Sequence, residues 1–284
     1  MYDHNKKAGN QGDVVKHPAL IAAVDSIIQD SQAECFNFFD TFAGYAYNPL
    51  LKGNEWVNGI NHIHRFGRSS ENPHVKSWMS MWQLGTELTG NVYPGSSLFT
   101  LKTCQNRGIP FRGTLFDISP AVVSQLMTVF ADLDTQVLTR TATIRDIKCG
   151  PSADLLFIDP PGIRSEKNRH YPAVSALTAF VEGKHNVLVW LPMVTDLSNN
   201  PIQEHSNSSN WRQAFVNAGL AATTVRWGLG GPVCGCQLFY RLPPIAVAAV
   251  RSAIVATLSL TDWTTKDVMH FEPKQQVIDT TDEV

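Results

Sequence analysis

The chain has 284 residues, 43% of them hydrophobic and 17% charged, which excludes a mostly disordered protein. The length suits one large α/β domain, or one domain carrying an insertion. Lys+Arg number 23 against 25 Asp+Glu, and this formal net charge of −2 excludes a globally basic nucleic-acid binder while leaving room for a local basic face. The five cysteines (Cys35, Cys104, Cys149, Cys234 and Cys236) are odd in number and scattered, so no disulfide framework is expected and a reducing, cytoplasmic setting fits better. The stretch from Met1 to Lys7 has no apolar targeting core, and no run of about 18 apolar residues occurs, so no membrane partner is expected.

In chain order, residues 17–30 place Leu20, Ile21, Val24, Ile27 and Ile28 at helical spacing, with Pro18 in the expected first turn. Residues 35–39 read as a short buried strand, with Asp40 at its end. Residues 49–92 change character: Trp56, Trp78 and Trp82 alternate with His62, His64, Arg65, Arg68, His74 and Lys76, which predicts a small, mostly helical insertion. A helix is predicted over 98–106, a strand over 112–117 ending in Asp117, and a helix over 120–131 opened by Ser119-Pro120. Residues 153–158 form the next apolar strand, followed by Asp159-Pro160-Pro161-Gly162. A helix over 172–182, a strand over 186–191, a helix near 209–218 and strands near 221–227 and 236–241 complete the alternation, and 273–284 is a polar, loosely held tail.

Strands alternating with helices predict a mostly parallel sheet flanked by helices, with ligands beyond the carboxyl ends of the strands. Asp40, Asp117 and Asp159 stand at three such ends. Two consecutive prolines fix φ and remove two backbone donors, so Asp159-Pro-Pro is a rigid turn whose carbonyls are available to an exocyclic amine. Its plainer reading is a strand-terminating turn. Gly44, in Asp40-Thr-Phe-Ala-Gly-Tyr-Ala, permits close backbone approach, although Ala46 stands where a second glycine could be. Asp117 has the charge to bind a ribose hydroxyl pair, or else it caps the turn before Ser119. Arg164, Lys167, Arg169 and His170 crowd just after Asp159-Pro-Pro; with Lys6, Lys7, Lys16 and the basic residues of the insertion they would form a phosphate-binding rim if they meet in space. Cys234-Gly-Cys236 has no partner pair at zinc spacing, and His62-x-His64 would not share a helix face, so no metal is expected.

Taken together, Tyr2-Asp-His4, Ala8-Gly-Asn-Gln-Gly-Asp-Val-Val-Lys-His17, Asp40-Thr-Phe-Ala-Gly44, Tyr93-Pro-Gly-Ser-Ser, Asp159-Pro-Pro and Trp190-Leu-Pro resemble, in order, the motifs of the RlmJ family of S-adenosylmethionine-dependent methyltransferases, which act on adenine N6 of large-subunit ribosomal RNA. The resemblance implies a Rossmann-like methyltransferase domain over 1–48 and 93–272, interrupted by the 49–92 insertion. It implies Asp159, Pro160 and Lys16 as catalytic. His17, Asp40, Phe42, Gly44, Ser96, Asp117 and Asp146 would hold S-adenosylmethionine, and Tyr2, His4 and Arg164 would face the RNA. Three positions depart from the family pattern: Gly162 replaces the tyrosine of D-P-P-Y, Phe42 a histidine and Ala46 a glycine. A stacking aromatic is worth roughly 1–3 kcal/mol per base. Tyr171 or Tyr2 would therefore supply the stack, or the substrate has changed, or the chain binds cofactor or RNA without adenine methylation.

Overall fold

The computed structural model describes residues 7–50, 55–65, 69–89, 91–149, 152–162, 171–183, 185–194, 210–227, 233–261, 263 and 266–273. The elements run α1 (Gln11–Ser31), β1 (Phe36–Asp40), β2 (Tyr47–Pro49), a 3-10 turn (Glu55–Asn58), α2 (Ile60–Arg65), α3 (Pro73–Thr89), β3 (Val92–Pro94) and α4 (Ser96–Asn106). They continue with β4 (Phe111–Phe116), α5 (Pro120–Val129), β5 (Asp134–Leu138), α6 (Ile144–Cys149), β6 (Leu155–Ile158), α7 (Val174–Phe180) and β7 (Val187–Val194). The chain closes with α8 (210–217), β8 (Ala221–Trp227), β9 (Val233–Arg241), α9 (Pro244–Ser259) and β10 (Lys266–Phe271).

Eight strands form one sheet in the order β10-β8-β9-β7-β6-β1-β4-β5. The five from β5 to β7 are parallel, and β9, β8 and β10 are added antiparallel. This mostly parallel sheet flanked by helices is a Rossmann-like α/β fold. The chain leaves β1 for β4 on one side and returns through β6 on the other, so β1 borders the topological switch point. Parallel pairing brings the ends of β1, β4, β6 and β7 to one edge.

Helix α1 starts six residues before its predicted first turn and takes Pro18 into its interior. Asn10 explains the earlier start: its Oδ1 accepts from the Asp13 N–H (3.1 Å), while Asp13 Oδ2 accepts from the Gly9 N–H (2.7 Å). These contacts satisfy amides that an uncapped first turn would leave open. Every residue from Gly12 to Ile28 is buried, and the helix packs on α9 and α4. Each such Leu or Ile contributes roughly 1.5–3 kcal/mol.

The insertion is stapled at its base by the antiparallel β2–β3 pair, Tyr47 opposite Pro94. Its Trp78 and Trp82 are buried and join the cluster that contains Val14, Leu20 and Phe99. These tryptophans are core residues, not surface platforms. A Cβ on Gly59 would lie 2.0 Å from the Gly9 carbonyl oxygen, and this close approach seats α2 against the segment that opens α1. No helix among the described residues is long and apolar enough to cross a membrane.

Candidate active site

The N-terminal turns of α1 present Asp13, Lys16 and His17, spaced i, i+3 and i+4, to the carboxyl edge of the sheet. There Lys16 Nζ pairs with Asp13 Oδ1 (2.7 Å) and with Asp159 Oδ2 (2.6 Å), and it lies 5.1 Å from the centre of the Trp190 ring. A lone buried ammonium would be too costly to keep charged. Burial alone would depress Lys16, but Asp13 and Asp159 outweigh it and hold its pKa well above the ordinary value. Burial likewise opposes ionisation of Asp13, and Lys16 and His17 reverse that, holding its carboxyl below the usual range.

His17 is buried beside that pair. Its Nδ1 lies 2.8 Å from Tyr93 Oη, and its Nε2 lies 3.3 Å from Ser96 Oγ. Desolvation pushes its pKa down to about 3, so the ring is neutral at physiological pH. Ser96 opens α4 directly after Gly95, where a Cβ would come within 2.1 Å of the Tyr45 carbonyl oxygen.

Asp40 ends β1 and is fully buried; its Oδ1 accepts from the Phe42 N–H (3.1 Å). Its Oδ2 has no hydrogen-bond partner among the described residues. Burial, reinforced by the Asp159 and Asp117 charges, raises it to about 8, which keeps it mostly protonated at pH 7. The Gly44 N–H, in a turn at φ +63°, donates to Asp117 Oδ2 (3.2 Å), and the Ser119 N–H donates to Asp117 Oδ1 (2.7 Å). Asp117 thus orders the turn after β1 and the entry to α5 together.

Lys16, His17, Phe42, Gly44, Ser96, Asp159 and Pro160 line one cleft, joined by Asp13, Tyr93 and Trp190. Its empty space is about 600 Å³ including the open mouth. Asp40 and Asp117 stand behind this lining, connected to it through Phe42 and Gly44. Asp146 lies elsewhere. Its two oxygens meet Arg140 (2.6 and 2.7 Å), and with Thr143 it makes a capping box at the start of α6. Tyr2, His4 and Arg164 are outside the described residues, as are Lys6, Arg68, Lys167, Arg169 and His170. Within the insertion His74 pairs with Asp25 and Lys76 with Glu71, while Lys7 pairs with Glu55.

Asp13, Tyr93 and Trp190 were not singled out as site residues by the sequence reading. The i, i+3 spacing of Asp13 and Lys16 was the available signal for the first. Gly162 is explained by its neighbour: a Cβ there would lie 2.7 Å from Cε2 of the Tyr171 ring, so the space beside the Asp159-Pro-Pro turn already holds an aromatic.

No protein-family model and no curated protein matches the sequence. Solved structures do. Protein LPL1258 from Legionella pneumophila, described under the family model DUF519, is 17% identical with a TM-score of 0.74, covering 94% of this chain and 99% of its own. A candidate class I S-adenosylmethionine-dependent methyltransferase from Listeria monocytogenes is 10% identical over 93% of this chain and 74% of its own, with a TM-score of 0.44. An rRNA methylase from Streptococcus thermophilus is 6% identical over 77% and 93%, with a TM-score of 0.35. The first likeness carries the fold alone, and the other two are too distant to add to it.

Proposed function

We propose that the protein is an S-adenosylmethionine-dependent methyltransferase acting on the exocyclic N6 of an adenine in RNA, with large-subunit rRNA as the target class. The observation that carries this reading is the shared cleft of Asp159-Pro160 with His17, Gly44 and Ser96 at the carboxyl edge of the sheet. The residues fit a cationic ligand. Asp13 and Asp159, with Asp117 behind Gly44, outnumber the Lys16 cation, while His17 is neutral and Asp40 is held as the acid. The unpartnered Asp40 Oδ2 and the Gly44 turn suit a polar nucleoside ligand.

When bound, S-adenosylmethionine supplies a methyl group already activated on sulfur. The protein must then place the acceptor nitrogen in line and exclude water. Asp159 accepts a hydrogen bond from the amine, and the Pro160 carbonyl accepts the second, favouring a more tetrahedral nitrogen. Lys16 holds Asp159 Oδ2 and so fixes the carboxylate's orientation. Methyl transfer would break the methyl–sulfur bond, its electron pair staying on sulfur, and would leave the nitrogen acidic; Asp159 is placed to take up that proton. A base must leave its stack to reach the cleft, which is cheapest in a single-stranded RNA loop. Tyr171, packed on Gly162, supplies the stacking ring in place of the motif tyrosine.

The test is transfer of labelled methyl to protein-free rRNA. The native protein is expected to label adenine, and Asp159→Asn to fall by about 10²–10⁴-fold, with thermal unfolding used to verify that the variant is folded. Equal labelling by both sinks the assignment of Asp159. A second reading, cofactor or RNA binding without turnover, draws on Lys16 already occupying Asp159 Oδ2. Calorimetric binding of S-adenosylmethionine with no transfer to any nucleic acid would select it.

A further inference from the structure

Three buried groups in a line connect the insertion to the cleft. Trp78 of α3 donates from Nε1 to Tyr93 Oη (3.0 Å), and Tyr93 Oη lies 2.8 Å from His17 Nδ1. Trp78 and Tyr93 are fully buried, and His17 is nearly so. An indole N–H can only donate, and a phenol carries one hydrogen. If His17 also donated to Tyr93 Oη, the phenol hydrogen would be left without any acceptor among the described residues, at a cost of about 1–3 kcal/mol. The phenol hydrogen therefore goes to His17 Nδ1, and the imidazole proton sits on Nε2, facing Ser96 Oγ at 3.3 Å.

We infer that Tyr93, whose hydroxyl oxygen is held by the Trp78 N–H of the insertion, is a positioning residue for the cleft: its O–H fixes His17 as the Nε2–H tautomer, so that a ring N–H donor stands on the Ser96 side of the cleft. The same ring is held in place by its faces, with Phe99 4.8 Å and Tyr93 5.4 Å away between ring centres. Asp13 Oδ1 lies 4.0 Å from Nδ1, and Lys16 is the nearest cation. When the phenol no longer donates, Asp13 is the group that favours a proton on Nδ1. The functional consequence rests on the reading above, in which His17 faces the cofactor; the tautomer itself does not.

The experiment uses the full chain labelled with ¹⁵N-histidine, with Trp78→Phe, which keeps an aromatic ring but removes the N–H, and Tyr93→Phe, which removes the hydroxyl. Native His17 is expected to show a pyrrole-type Nε2 and a pyridine-type Nδ1. Tyr93→Phe is expected to gain Nδ1–H signal, and calorimetry to give about 5- to 10-fold weaker S-adenosylmethionine binding, the loss of roughly one neutral hydrogen bond. Trp78→Phe, in which the phenol can still donate to Nδ1, is expected to keep the native tautomer. A native Nδ1–H tautomer, or a Tyr93→Phe variant that keeps the native pattern, would overturn the inference whether or not the enzyme transfers methyl groups. A tautomer shift with unchanged cofactor affinity would uphold it and remove His17 from the cofactor site.

Discussion

Helix α1 carries two buried charge clusters, and they handle their acids differently. Near its start Asp13, Lys16 and His17 meet Asp159 along the wall of a cleft, with an unpartnered Asp40 oxygen behind them. Farther along the same helix Asp25 accepts from Arg107 Nε (2.5 Å) and Nη2 (2.7 Å), from Gln29 (2.8 Å), and faces His74 Nε2 at 3.2 Å. The second cluster ties α1 to α3 and to the end of α4, and both oxygens of its carboxylate have partners. Asp13 and Asp25 are equally buried, so burial of the acid alone does not separate structure from function. What separates them is whether a concave, incompletely satisfied surface remains beside the charges.

Removing the cation from the cleft is the strongest way to break this contrast. Lys16→Met leaves Asp13 and Asp159 without a counter-charge and is expected to cost about 3–5 kcal/mol of stability at pH 7. The loss should shrink at pH 5, as the unpaired carboxyls take up protons. Urea unfolding at the two pH values measures it, and an unchanged midpoint at pH 7 would show that the cleft charges are not coupled as their distances imply.

Breaking the second cluster is expected to cost less and to leave ligand binding alone. In Asp25→Ala the freed Arg107, 43% exposed in its side chain, is rehydrated, so the expected loss is about 2 kcal/mol with no change in S-adenosylmethionine affinity. Although burial opposes it, bonding to His74 and Arg107 holds Asp25 down at about 2, below the ordinary carboxylate range. The folded pKa is depressed, so this stabilisation is present above about pH 4 and disappears as pH falls toward 2. An acid titration of stability should therefore be flatter for Asp25→Ala; a superimposable acid limb would assign the sensitivity to another group.

Asp146→Ala sharpens the comparison at the smallest scale. With its oxygens on Arg140 and Thr143, the expected effect is a capping loss of about 0.5–2 kcal/mol and unaltered cofactor affinity. A clear loss of affinity by calorimetry would return this residue to the cofactor set that the family resemblance implies.

Much of the central sheet was legible in advance. Residues 35–39, 112–117 and 153–158 are short apolar runs closed by an acid or a turn, and they stand within two residues of β1, β4 and β6. Six elements have no counterpart in the sequence reading: β2, β3, β5, α6, α9 and β10. Strand β5 is half exposed along its length, so it lacks an apolar run, and its place is set by pairing with β4. Strand β10 likewise pairs along one side only, with β8. Helix α1 was read too short because Pro18 looks like a helix start; the Asn10 and Asp13 caps let the helix begin earlier and carry the proline inside. Among site residues, the strand-end acids are legible from their positions, whereas Tyr93 and Trp190 stand in motifs of the resemblance without a site role being implied for them.

The order of apolar runs and turn-forming residues by itself determined a parallel layered sheet with acids at its strand ends, because periodicity and proline or glycine chemistry act locally along the chain. Which of those acids would be paired, protonated or left facing a cleft was decided only by the tertiary structure. Asp159 meets Lys16 across 143 positions, and Trp78 reaches His17 through Tyr93. Ionisation states and tautomers depend on desolvation and on partners a few ångströms away in space, and those distances exist only once the chain has folded.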